Sequence, residues 1–322
     1  MWFQNRTLDQ KMTPAASSTV QLQNGLPRDR WIRAIMLHTQ IVESQSGTPV
    51  TTGILNWHSA IRVVASGNDT LKNVNGYRLW SVNKYEHGTQ LPFDTIGSLD
   101  TGLTKNAYFE LHFALNPKNP FDVSALLPAH LLSTLDLFID FGALTLMGST
   151  FTLTSGTVEV TVTECYTTAD EEAKIKSGLV KLYETENTYS SIPSAIASDY
   201  SQYIDLQTGV KILKLGIFTQ TSSAYSDGVI GKYEIRQMSP VNTQLDHSEW
   251  YASKSEDKIF YGLTTNVATG YYEGLETGFT IYDPLFKQGV LDTTGMKQGD
   301  IRLRMTTLVS SGAVILYYKY FI

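Results

Sequence analysis

The sequence predicts an all-β protein built as two consecutive β-sandwiches with a short helix in each, and three observations carry that expectation. The first is composition. Charged residues make up only 17% of the 322 while aromatics reach 11%, with 18 Tyr and 13 Phe, and β-branched and aromatic side chains suit a pleated, half-buried surface. The second is a succession of short runs that alternate apolar and polar residues, set apart by Gly, Pro, Ser and Asn turns. The third is a repeat. Residues 31–40 return in weaker form as 210–220: aligning Thr39-Gln40 on Thr219-Gln220 puts Ile32 on Ile212, Ile35 on Leu215 and Leu37 on Ile217, an offset of 180 (220 minus 40). Ile61-Arg62 falls on Ile235-Arg236 at 174 (235 minus 61), and Gly156-Thr157-Val158 on Gly312-Ala313-Val314 at 156 (314 minus 158). The offset only shrinks, as a second copy with shorter loops requires. One large β protein with recurrent strand chemistry is the alternative, but a chain of this length exceeds a usual single core, and two domains of about 150 residues suit it better.

In chain order, residues 1–27 hold no sustained period and read as an arm that becomes ordered only on something outside itself. Trp2 and Phe3 beside Arg6 and Lys11 fit contact with a membrane surface, rings at the headgroups and cations on anionic lipid. Packing on a neighbouring subunit, or plain disorder, is the other reading. Deleting 1–24 is then expected to leave both sandwiches folded. A first strand follows over 31–42, ended by the turn-rich 44–49, and a strand over 59–65 leads to Gly67-Asn68-Asp69, whose residues tolerate positive φ. Tyr77, Trp80, Lys84 and Tyr85 recur near 3.6 residues and predict a short helix over 75–87. Its counterpart is 248–261, capped by Asp246 or Ser248, with Trp250, Ile259 and Phe260 inward.

Over 107–115, Tyr108, Glu110 and His112 alternate with Phe109, Leu111 and Phe113, a strand with one wet face. Over 131–141, Leu135, Leu137, Ile139 and Phe141 share one face, opposite Asp136, Phe138 and Asp140. Over 157–165, Val158, Val160 and Val162 point inward and Glu159, Thr161 and Thr163 outward, the clearest period-two segment in the chain. The polar 167–177, with acidic residues ahead of lysines, reads as a short helix or linker, and the domain boundary is expected there. The second half repeats the programme, with strands near 180–186, 203–221, 232–238, 278–282, 301–308 and 313–322. Strands at this spacing mean sandwiches or barrels rather than a parallel βαβ sheet.

Charge and motifs exclude more than they suggest. A net charge of -6 argues against nucleic-acid binding by the chain as a whole, since phosphate contacts need clustered Lys and Arg. The one basic segment is 1–33, where Arg6, Lys11, Arg28, Arg30 and Arg33 outnumber Asp9 and Asp29. The single Cys165 excludes an intramolecular disulfide and reads as a structural thiol. No run of about 20 apolar residues and no apolar leader occur, so synthesis in the cytoplasm is expected. The six histidines show no paired metal-ligand spacing. His112 and Glu110, two apart on one strand face, have the chemistry to chelate a metal, but a surface cross-strand pair is the ordinary reading, and no metal or cofactor is expected. Asp136 and Asp140 lie roughly 13 Å apart along one strand, too far for a glycosidase pair. No GxSxG or phosphate loop occurs. No catalytic residue is therefore assigned. A carbohydrate- or receptor-binding β-sandwich stacking Trp57, Trp80 or Trp250 on sugar rings is the alternative from another class.

Taken together, the paired stretches 31–40 with 210–220, 135–142 with 301–307 and 157–166 with 313–322 resemble the double jelly-roll major capsid proteins of tailless icosahedral viruses with an internal membrane. The resemblance covers residues 27–322 as architecture and has no short diagnostic motif. It implies two consecutive jelly-roll β-sandwiches with a short helix in each: an arm over 1–27, a first roll over 28–167, a linker over 168–178 and a second roll over 179–322. It further implies a homotrimer that tiles as a pseudo-hexagon and contacts neighbouring capsomers and minor capsid or vertex proteins. The arm residues Trp2, Phe3, Arg6 and Lys11 would reach the viral membrane or a neighbour, with no direct nucleic-acid contact and no enzymatic activity. The protein would reside in the virion. Compact loops at 67–76 and 89–104 would leave the capsomer without large towers.

Overall fold

The computed structural model describes residues 1–88, 90–98, 100–189, 200, 202–261, 276–284, 289–309 and 312–322. The chain divides into two compact units, Met1–Glu184 and Thr185–Ile322.

The first unit contains β1 (Trp2–Thr7), β2 (Thr19–Gln21), β3 (Trp31–Gln45), α1 (Gly53–Trp57), β4 (His58–Ala65), β5 (Asp69–Val74), α2 (Gly76–His87), β6 (Thr101–His112), β7 (Leu135–Phe141), β8 (Phe151–Tyr166) and α3 (Ala169–Gly178). Hydrogen bonding joins the strands in the orders β1-β8-β3-β6 and β2-β7-β4-β5. Every registered pair is antiparallel. Eight strands in two such sheets make a jelly roll. Burial follows the pleat. Leu135, Leu137, Ile139 and Phe141 are buried and alternate with half-buried Asp136, Phe138 and Asp140. Val158, Val160 and Val162 do the same against Glu159, Thr161 and Thr163. Ile35, Leu37, Thr39 and Ile41 of β3 complete that inner face.

The helices begin and end where local chemistry dictates. The Asn75 side chain caps α2 by accepting from the Tyr77 and Arg78 amides, and Gly88, at φ 72, closes it by donating its amide to the Lys84 carbonyl. A glycine suits that left-handed position because it lacks a Cβ. Thr168 and Glu171 form a reciprocal capping box on α3.

Residues 1–27, expected as an external arm, are instead part of the first roll. β1 pairs with β8 from Trp2 opposite Tyr166 to Thr7 opposite Thr161, β2 pairs with β7, and Met12, Leu22 and Leu26 are buried. Backbone pairing with strands already in the sheet orders this segment, although its own side chains show no period. The segment 168–178, expected as a short helix or linker at the domain boundary, is the helix α3, whose Ile175 packs with Trp31, Leu126 and Cys165. The division between units therefore comes after it, at Glu184. The span 67–76, expected as a loop, holds β5, and of 89–104 Thr89 and Leu99 lie outside the described residues.

The second unit begins along β9 (Leu182–Tyr189), a strand that crosses the boundary. There follow β10 (Gln202–Asp205), β11 (Lys211–Thr221), β12 (Ala224–Tyr225), β13 (Ile230–Gln237), β14 (Thr243–Glu249), α4 (Trp250–Tyr261), β15 (Phe279–Tyr282), β16 (Leu291–Asp292), β17 (Ile301–Thr307) and β18 (Ala313–Phe321). Its orders are β9-β18-β11-β15 and β10-β17-β13-β14, with the short β12 and β16 also on β11. Leaving those two aside, both units join the first, eighth, third and sixth strands in one sheet and the second, seventh, fourth and fifth in the other. α4 separates the fifth and sixth strands, as α2 does. Trp250 is buried as expected, while the side chains of Ile259 and Phe260 lie outside the described residues. Among the described residues, no helix is long and apolar enough to cross a membrane.

Candidate assembly surface

β1 is one of the two edge strands of its sheet, and an edge strand presents unpaired backbone groups to any partner. Its pleat turns Phe3 inward, where it packs on Trp31, Leu126, Cys165 and Ile175, with the Arg33 guanidinium 5.5 Å from its ring centre. Trp2 stays 58% exposed and stacks on Tyr166, centroids 5.0 Å apart and planes within 8°. Arg30 lies 5.0 Å from the centre of that Tyr166 ring. Arg6 bridges Asp29 at 3.4 Å and the buried Glu164 at 3.3 Å, and Lys11 donates to Glu159. The Lys11 bond holds the Glu159 carboxyl below its ordinary range. The structure thus brings Trp2, Phe3 and Arg6 onto one strand and leaves Lys11 beyond it. Both cations are met by carboxylates of the same chain. A cleft of about 280 Å³ is lined by Arg6, Leu8, Gln10, Asn24 and Pro27 among others.

Tyr166 and Arg30, which complete the aromatic stack, were not legible as site residues, because only the β1–β8 register brings Tyr166 to Trp2 and only packing sets Arg30 on the Tyr166 ring. Other exposed apolar side chains include Phe121 and Leu131 in the first unit, and Tyr203, Val241 and Tyr251 in the second.

The competing chemistries find little support in the geometry. Trp57, Trp80 and Trp250 are all buried, and their indole nitrogens donate to Gly142 O, Leu91 O and Asp227 Oδ1 at 2.9, 2.8 and 2.8 Å. None presents a face to a sugar ring. Asp140 is engaged by Arg62 at 2.8 Å and by Thr19 at 2.7 Å, and Asp136 by Gln21, the pattern of a structural strand face. Burial pushes the Cys165 thiol up to about 11, which suits a structural thiol. His112 is buried rather than on the surface, and it meets His87 as well as Glu110. No spacing in the chain points to His87, which lies 25 residues away from its partner.

No protein-family model matches the chain, and no curated protein matches it. Solved structures match along nearly its whole length. The STIV major capsid protein is 19% identical, with a TM-score of 0.80 over 99% of this chain and 97% of that one. A chain in the atomic structure of Sulfolobus Turreted Icosahedral Virus is 20% identical, with a TM-score of 0.78 over 99% and 90%. The major capsid protein from bacteriophage PM2 is 12% identical, with a TM-score of 0.65 over 99% and 97%. With two units of identical strand order and this similarity end to end, the chain has the double jelly-roll fold of viral major capsid proteins.

Proposed function

We propose that this protein is a viral major capsid protein that assembles as homotrimers into an icosahedral shell. The observation that carries the reading is the same eight-strand roll built twice in one chain, with a fold that follows capsid proteins over 99% of its length. Three copies supply six similar rolls. Six similar lobes satisfy hexagonal packing, and two non-identical halves let neighbours be told apart. Such a shell gains stability from many modest interfaces, so no single contact has to be strong. The protein would reside in the virion, contact neighbouring capsomers and minor capsid or vertex proteins, and have no enzymatic role.

For an internal membrane, the supporting feature is the exposed Trp2 on Tyr166 with Arg30 against the same ring, an aromatic and cationic pairing suited to headgroups. Arg6 and Lys11 support it less, since intrachain carboxylates already meet them. We therefore assign the membrane or neighbour contact to the β1 edge rather than to a detached arm. The carbohydrate-binding alternative loses its three candidate tryptophans to the core. Size-exclusion chromatography with light scattering tests the assembly reading: a stable trimer is expected at micromolar concentration, and a monomer there contradicts it.

A further inference from the structure

The end of α2 and the end of β6 bring three metal-binding side chains to one point. Glu110 and His112, two apart on β6, share a face of that strand, and His87 is the last residue of α2. His87 Nε2 lies 2.8 Å from His112 Nε2 and 3.5 Å from Glu110 Oε2, and His112 Nε2 lies 3.4 Å from the same oxygen. A tetrahedral zinc ion with bonds of about 2.0–2.1 Å sets neighbouring ligand atoms about 3.4 Å apart. Two edges of the triangle already have that length. The third, between the imidazoles, must open by about half an ångström, which a small rotation of either ring supplies.

The surroundings fit a cation. The C-terminal end of α2 carries the negative pole of the helix. The strand side is held by Asn83, which donates to the Glu110 carbonyl at 2.9 Å, and by Lys72, which donates to the His112 carbonyl at 2.8 Å. The Lys72 charge is itself met by Glu184 at 3.1 Å, and the Arg33 guanidinium is turned to the Pro117 and Asn119 carbonyls. His112 Nδ1 makes no hydrogen bond, so in the neutral ring it can carry the proton and leave Nε2 to present its lone pair. His112 is buried while His87 and Glu110 are half-buried, which leaves an approach for the ion and room for a solvent ligand.

We propose that His87, Glu110 and His112 bind one divalent transition metal of the zinc class, with solvent completing a tetrahedron, and so pin the end of α2 to β6. Two imidazoles and one carboxylate select that class over calcium or magnesium, which take oxygen ligands. The site is independent of the assembly reading.

The test uses the full chain stripped with a chelator and titrated with Co²⁺ alone and with Zn²⁺ alone. One Co²⁺ per chain should bind with the visible absorption of a tetrahedral site, and Zn²⁺ should displace it and raise the melting temperature. His87→Gln and Glu110→Gln, at half-buried positions, should each weaken Zn²⁺ binding by more than about 100-fold, beyond the 10–100-fold typical of an outer-shell change. His247→Gln, in the other unit, should leave it unchanged. Absence of stoichiometric tetrahedral Co²⁺ in the wild-type chain overturns the proposal whatever the variants do. Undiminished binding in the His87→Gln, Glu110→Gln double variant overturns it equally.

Discussion

Thr39 faces Val158 across β3 and β8, and Thr219 faces Val314 across β11 and β18. These four residues are the ones that the two halves of the sequence align on each other, Thr39 with Thr219 and Val158 with Val314. The pairing therefore repeats along with the residues. Ile61 and Ile235, aligned in the same way, also sit opposite aliphatic residues of the neighbouring strand, Ile139 and Leu303. A slip of one residue would turn each buried face to solvent. A register kept in both units is thus a stronger sign of duplication than the resemblance of apolar runs.

Thr39 also leads to a pH dependence. Its hydroxyl lies 2.8 Å from His58 Nε2, and His58 Nδ1 lies 2.9 Å from the Ile54 carbonyl. A carbonyl only accepts, so Nδ1 carries the proton and Nε2 accepts from Thr39. Burial lowers the His58 pKa from 6.5 to about 4. A depressed histidine contributes stability that is present above 6.5 and is lost as pH falls toward 4, because the unfolded chain takes up the proton first. The full effect is about 3 kcal/mol. Glu43, raised by burial and by the neighbouring Asp100 from 4.5 to about 7, acts in the opposite sense: its contribution is present below 4.5 and is lost as pH rises toward 7. Urea denaturation of wild type and His58→Gln across pH 4 to 7 isolates the histidine. The gap between the two stability curves should narrow as pH falls. A constant gap would show that His58 is not held neutral by the fold.

Lys72 and Glu184 form an ion pair of 3.1 Å with both side chains almost fully buried, and the Lys72 ammonium also lies 4.9 Å from the Phe113 ring centre. Removing one partner leaves the other charge stranded in the interior, at a cost of about 3–5 kcal/mol. Replacing both by apolar residues of similar size avoids that penalty. Lys72→Met and Glu184→Leu should each destabilise the chain strongly in equilibrium denaturation, and the double variant should be more stable than either. A double variant as unstable as the sum of the singles would refute the pairing.

Truncation before Gly25 removes β1 and β2, one strand from each sheet of the first roll. It exposes β8 and β7 and deletes the buried Met12 and Leu22. The shortened chain should lose the cooperative thermal transition of the first unit, read by calorimetry or by loss of amide protection in 31–166. An unchanged transition would return these residues to the status of an appendage.

Legibility in the sequence followed packing. β7 and β8 were readable because one face of each is buried and the other half-wet, so the pleat is written in the residues. β1 was not, because beyond Phe3 its side chains are exposed on both faces and its place depends on backbone pairing. The repeat held the missing clue: β9 begins 29 residues before β11 (211 minus 182), and β1 begins 29 before β3 (31 minus 2). β5 hid behind turn residues that belong to a tight β4–β5 hairpin. Trp57, Trp80 and Trp250 look alike in sequence whether they face solvent or core, and only their carbonyl and carboxylate partners show which. His87 reaches Glu110 and His112 through the packing of α2 on β6.

The most direct measurement is negative-stain electron microscopy of the purified full-length protein. Particles with six lobes around a threefold centre are the predicted result. A field of separate single-chain particles, at concentrations where light scattering is also read, would contradict the assembly role.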